Sequence, residues 1–183
     1  MEASTPVQSS GIRPAVRLLG LGNQLLADDA FGILAARAVE RRLGRAIEVA
    51  VSSEAGFNLL DHLLGVETLL VVDTIQTGQA PPGTIHVFDE TGMRAAPGTS
   101  PHRIGIFEVL AAARELGLDA PTQVTILAVE AADCTRVGGP VHPDVLAAIP
   151  AAVDWVARFL RHRRQAPPMA PAGFVWATQK HSC

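Results

Sequence analysis

Two adjacent carboxylates, Asp28 and Asp29, follow a glycine-bearing segment, Gly20-Leu21-Gly22-Asn23. A third carboxylate, Asp73, follows the apolar run Leu69-Leu70-Val71-Val72, and an imidazole, His102, follows Ser100-Pro101. Carboxylate oxygens and a neutral imidazole nitrogen suit borderline divalent metals such as zinc or nickel. Three protein ligands leave positions open for water or a substrate. Ser100 suits an N-cap and Pro101 the first helical position, which puts His102 in the first turn of a helix. The helix dipole disfavours imidazolium there, and a metal ligand has to be neutral.

Each of these residues also has a plainer role. Asp28 and Asp29 precede a helical pattern, where aspartate is a favoured N-cap, and one can cap while its neighbour points elsewhere. Asp73 can act as a turn residue, accepting from the backbone N–H groups of Thr74 to Gln76. Placed at the end of so apolar a strand, it must otherwise be solvated, paired or bound to a metal. His102 can be a surface histidine. His62, His86, His142 and His162 have no comparable sequence context.

Other chemistries lack their signatures. Gly20-x-Gly22 resembles the start of a dinucleotide fingerprint, but Leu25 occupies the third glycine position. The two glycines instead allow a tight turn and close backbone approach, and Asn23 can brace that turn through its side-chain amide. There is no His-Glu-x-x-His helix, no Gly-x-Ser-x-Gly elbow and no phosphate-binding loop. Cys134 follows a strand but has no histidine beside it in sequence.

These residues need a scaffold, and hydrophobic periodicity supplies one. Strand patterns fall at 15–21, 46–52, 68–73, 84–88 and 123–130. Helical patterns fall at 30–44, 56–64, 103–117 and 142–163, the last with Pro143 in its first turn. Alternation of this kind predicts a three-layer α/β domain with a mostly parallel sheet. No helix separates 68–73 from 84–88, so one of that pair is expected to run antiparallel. Ligands in such sheets gather at the carboxyl ends of the parallel strands, where Asp29 and Asp73 fall.

The chain has 183 residues, close to the size of one domain, with 48% hydrophobic and 18% charged residues and a mean hydropathy of +0.25. That composition supports a folded core. The net charge of −3 lacks the basic excess of a nucleic-acid binder. Two cysteines are too few for a disulfide scaffold or a four-cysteine zinc site. No apolar run approaches the roughly 20 residues needed to cross a bilayer, and the start lacks signal-peptide order. The expectation is a cytoplasmic protein without membrane insertion. Residues 1–14 read as a flexible lead-in, 15–164 as a single domain, and 165–183, with Pro167, Pro168 and Pro171, as a disordered tail in which Phe174 and Trp176 offer apolar docking points.

Taken in order, the motifs resemble the maturation peptidases of nickel–iron hydrogenases. The match rests on Gly20-Leu21-Gly22-Asn23 with Asp28-Asp29-Ala30-Phe31-Gly32; on Val71-Val72-Asp73-Thr74-Ile75 with Gly78 and Pro82-Gly83-Thr84; and on Ser100-Pro101-His102 with Gly105. Ala55-Gly56 and Val129-Glu130 fit as well. The resemblance extends over roughly residues 16–160.

The resemblance implies an α/β/α sandwich with a five-stranded mixed sheet. It implies an endopeptidase that cuts a short C-terminal extension from the precursor of a hydrogenase large subunit after nickel has been inserted. The family's metal-contacting residues fall on Asp29, Asp73 and His102, the nickel being contributed by the precursor rather than held permanently. Some relatives carry Glu where Asp29 stands. One departure is local: many relatives have Asp-Gly-Gly-Thr where this chain has Val51-Ser52-Ser53-Glu54, and Glu54, near a strand end, reads first as a solvated loop residue and second as a substitute carboxylate. Two rivals share the fold class. They are a hydrolase with its own bound metal and a metallochaperone that binds the client without cutting it.

Overall fold

Five apolar runs form strands: β1 (Val16–Leu21), β2 (Glu48–Ser52), β3 (Thr68–Ile75), β4 (Ile85–Asp89) and β5 (Gln123–Glu130). The computed structural model describes residues 15–90, 92, 103–162 and 174–176. The 1–14 segment, His102 with Ser100 and Pro101, and most of 165–183 therefore lie outside the described residues.

β1 pairs in parallel with β2 on one side and β3 on the other, and β3 pairs in parallel with β5. β4 is the antiparallel member, joined to β5 rather than to its predecessor β3. The loop after β3 crosses the end of β5 to reach that place, fixed by Gly83 N–H donating to the Glu130 carbonyl (2.9 Å) and Glu130 N–H donating to the Thr84 carbonyl (2.8 Å). A short β6 (Phe174–Trp176) adds in parallel to the outer edge of β4, giving the order β2-β1-β3-β5-β4-β6. At these three residues a strand replaces the expected disordered tail, because β4 offers an open row of backbone groups to β-prone side chains.

Alternation along the strands separates two cores. Leu18, Leu70, Val72, Val87, Leu127 and Val129 face α1 (Phe31–Leu43) and the last helix. Leu19, Leu69, Val71, Ile126 and Ala128 face the opposite side, covered by α2 (Leu60–Leu63) and α3 (Arg103–Glu115) through Leu63, Ile106 and Leu110. Full burial contributes about 1.5–3 kcal/mol for each such side chain. The result is the expected α/β/α sandwich around a mixed, mostly parallel sheet.

Two element boundaries differ from expectation. The pattern at 142–163 forms two helices, α4 (Pro143–Ala147) and α5 (Ile149–His162). Pro150 has no N–H for the Leu146 carbonyl and its ring crowds that carbonyl, so the helix breaks. β3 continues past Asp73 to Ile75, because β5 keeps pairing with it as far as Glu130. Within α5, Trp155 is buried against Phe159 with ring centroids 5.3 Å apart, and its indole N–H has no hydrogen-bond partner among the described residues.

Because β2 and β3 flank β1 on opposite sides, the chain reverses direction across the sheet at β1. Such a switch point opens a crevice at the carboxyl ends of the two central strands.

Candidate functional site

The segment after β1 is pressed against the sheet. A Cβ at Gly22, whose φ is +145°, would lie 1.9 Å from the Asp29 carbonyl oxygen. One at Gly32 would lie 2.0 Å from the Leu21 carbonyl oxygen and 2.4 Å from that of Val72. Only glycine allows the start of α1 to sit this close to the ends of β1 and β3. The chain enters α1 through Ala27, a non-glycine residue at φ 32°, and a 3-10 turn over Ala27–Ala30. A left-handed alanine costs roughly 1–2 kcal/mol, so the contacts made by the next two residues must hold it.

Those residues divide the work differently from helix capping, since neither supplies a side-chain cap to the 3-10 turn or to α1. Asp29 is 0% exposed. Its Oδ2 accepts from Asn23 N–H (2.8 Å) and its Oδ1 from the Thr74 hydroxyl (3.1 Å). Asn23 also braces the turn as expected, its Oδ1 accepting from Leu25 N–H (3.0 Å). Asp28, 1% exposed, turns the other way and takes three backbone N–H groups from the loop after β5.

Asp73, 2% exposed, lies in the last part of β3, and its Oδ1 accepts from Thr74 N–H (2.7 Å), as a turn residue would. Thr74 therefore links the two carboxylates: its backbone serves Asp73 and its hydroxyl serves Asp29. Asp29 and Asp73 both contact Thr74 near the end of β3, whereas His102 lies outside the described residues. Among the described residues, no group of three or more His, Cys, Asp or Glu side chains is placed to hold a metal ion.

Thr74 stands in the Asp73 motif and is expected there as a backbone donor to Asp73; its hydroxyl contact with Asp29, 45 residues away, has no sequence signal. Cys134 is another neighbour, buried with its thiol 3.7 Å from the Thr74 hydroxyl. Burial pushes this thiol up to about 12, and nearby Asp29, Asp28 and Asp73 add to the rise against the contact with Thr74. A thiol that stays protonated is no nucleophile.

Glu130 and His86 form a second buried cluster. Glu130 Oε1 accepts from Thr77 N–H (2.8 Å) and Gly78 N–H (2.9 Å). Its Oε2 accepts from the Thr77 hydroxyl (2.7 Å) and stands 3.1 Å from His86 Nε2. This carboxylate fixes the loop that leaves β3 just beyond Asp73. His86, which has no motif around it, thus has a defined partner. The departing segment Val51–Glu54 lies at the end of β2, where the Ser52 carbonyl accepts from Gly22 N–H (3.2 Å) and the Ser52 hydroxyl from Glu54 N–H (3.1 Å). It borders the same crevice.

The fold and these residues define an α/β protein with buried carboxylates at the carboxyl ends of β1 and β3, the position where open sheets of this class hold their ligands. The chain belongs to the hydrogenase maturation proteases, and so is an endopeptidase: the HycI hydrogenase maturation protease model matches residues 53–158, more than half of it. It is 31% identical over 165 residues to the hydrogenase expression/formation protein HupD of Rhizobium leguminosarum bv. viciae, covering 87% of this chain and 81% of that one. HupD of Thiocapsa roseopersicina is 31% identical over 152 residues, with 80% of this chain and 68% of that protein covered. Among solved structures, the hydrogenase maturating endopeptidase HybD from E. coli superposes with a TM-score of 0.71 at 30% identity, covering 81% of this chain and 93% of HybD. No helix among the described residues is long and apolar enough to cross a membrane.

Proposed function

We propose that this protein removes a C-terminal extension from the precursor of a nickel–iron hydrogenase large subunit once nickel is in place, and that it does so in the cytoplasm. The observation that carries the reading is the pair of buried carboxylates, Asp29 and Asp73, joined through Thr74 at the switch point of the sheet in a chain of this family.

Nickel belongs to the substrate here. Asp29, Asp73 and His102 are the residues that approach it, and their oxygen and imidazole donors suit that metal. Client binding then depends on nickel, which makes the metal a check on assembly before an irreversible cut. In the cut itself, a water oxygen adds to the scissile carbonyl carbon and the C–N bond breaks. One of the two carboxylates accepts the water proton, which is returned to the departing amine. The buried setting keeps bulk water away from that exchange.

The test is the intact mass of a large-subunit precursor incubated with the protein, with and without nickel. A single C-terminal loss is expected only with nickel. Asp29→Asn and Asp73→Asn are each expected to lower the rate by at least about 100-fold. Normal cleavage by a well-folded Asp73→Asn protein would sink the role given to that residue, and equal cleavage without nickel would remove the metal checkpoint.

A further inference from the structure

Asp28 is as deeply buried as its neighbour but serves another segment. Its Oδ2 accepts from Ala132 N–H (2.8 Å) and Asp133 N–H (3.0 Å), and its Oδ1 from His142 N–H (2.6 Å). Its own N–H donates to the Asp133 carbonyl (2.9 Å). One side chain thus gathers both ends of the 131–142 loop, which joins β5 to α4. The tip of the loop is tied separately. Leu26 and Val137 form an antiparallel bridge, and Gly138 N–H donates to the Leu25 carbonyl (2.8 Å).

Between this loop and the turn carrying Asp28 lies a cleft of about 190 Å³, walled by Arg136, Pro140, Val141 and His142. On the bridged tip, next in sequence to Arg136, Val137 is 76% exposed, and Leu25, whose carbonyl holds Gly138, is 68% exposed. A cleft lined by Pro140, Val141 and the Arg136 side chain, with Asp28, the sequence neighbour of Asp29, in its wall and exposed apolar side chains on the loop tip, fits an extended segment of a protein client.

We propose that Asp28 is a positioning residue that latches the 131–142 loop into a fixed wall for the client segment next to Asp29. The inference rests on the reading of this protein as a large-subunit processing peptidase. Its effect falls on client binding, because Asp29 has its own supports in Asn23 and Thr74. Loosening Asp28 frees the wall and leaves the neighbouring carboxylate held.

The experiment is steady-state processing of nickel-loaded precursor, with its dissociation constant measured in parallel. Asp28→Asn turns a side-chain N–H group toward backbone N–H groups. It is expected to raise KM and Kd about 10-fold and leave kcat within about two-fold, with faster hydrogen exchange at the amides of Ala132 and Asp133. A second comparison survives a misfolded Asp28→Asn. His142 has φ −57° and ψ 137°, which suit a proline followed by Pro143. His142→Pro removes the N–H that binds Asp28, whereas His142→Ala keeps it and loses only the ring. KM several-fold higher in the proline variant than in the alanine variant is the expected result. Equal KM in those two proteins, or a fall in kcat with unchanged KM in Asp28→Asn, overturns the latch. Wild-type protein that cleaves while the variants match it defeats this inference alone. Wild-type protein that neither binds nor cleaves the precursor defeats the functional reading with it.

Discussion

A thiol surrounded by carboxylates is a poor nucleophile, and Cys134 shows why position alone misleads. It lies against Thr74, in the middle of the site, yet burial holds it protonated up to about pH 12. The unfolded thiol titrates near 9.0, so folding is favoured fully below that pH, and this contribution is lost as pH rises from about 9 to 12. Iodoacetamide at pH 8 is expected to modify Cys134 in denatured protein and not in native protein, read by peptide mass; Cys134→Ala is expected to keep at least half the processing rate. Rapid native labelling would reopen the cysteine as a catalytic group. At this scale the sequence exposes the acids but not their division of labour. Asp29 and Asp73 stand out because strand ends in α/β sheets are where chemistry collects. That Asp28 serves a loop more than 100 residues away depends on tertiary contacts with Ala132, Asp133 and His142, which no local spacing encodes. The same holds for Glu130 and His86, joined by the β4–β5 register that pairs His86 with Ala128.

Among the elements, the β1–α1 connection carries the strictest steric demand. A Cβ at Gly22 or Gly32 meets backbone oxygen at 1.9–2.0 Å, and no side chain can move aside to relieve it. Gly22→Ala is expected to destabilise the fold by more than about 3 kcal/mol or to abolish soluble expression, seen as a large drop in the urea midpoint. Alanine at Gly44, where a Cβ has open space but φ is +53°, is expected to cost about 1–2 kcal/mol, separating backbone strain from collision. Gly22 was legible as a close-approach residue from its place after an apolar run, whereas nothing in the local pattern marks Gly32, whose contacts with the ends of β1 and β3 are tertiary. Helices and strands were legible too, since both cores follow simple periodicities. What stayed hidden was decided by neighbours: β3 is prolonged by pairing with β5, and β4 passes its predecessor to reach the far side of β5. The helix break at Pro150 was readable in principle, but the continuous apolar line from Val145 to Leu160 outweighed it.

At the level of the whole molecule, the five central strands suffice for the sandwich, and β6 closes one side of the sheet. A protein ending at residue 163 would leave the outer edge of β4 open, and open edges pair with other chains. Such a truncation is expected to keep the far-ultraviolet circular dichroism of the sandwich while gaining concentration-dependent association in light scattering. A strictly monomeric truncated protein would show that β4 needs no cover. The arrangement of strands also accounts for the breadth of the family likeness. Sheet and glycine turn bring Asp29 and Asp73 both onto Thr74, and the end of β2 and the loop after β5 are tied to the same turn through Gly22 and Asp28.

The chain has no tyrosine and two tryptophans, Trp155 in the core and Trp176 on β6. Its intrinsic fluorescence therefore comes from two indoles, of which Trp155 lies in the core. Trp155 is shielded from water and its ring N–H has no partner among the described residues, so its emission is expected at the blue end of the indole range, moving to the red when α5 leaves the sheet. With Trp176→Phe the light reports only on the core, and with Trp155→Phe only on the last strand. Melting of the core can thus be followed through a single indole in the unlabelled Trp176→Phe protein.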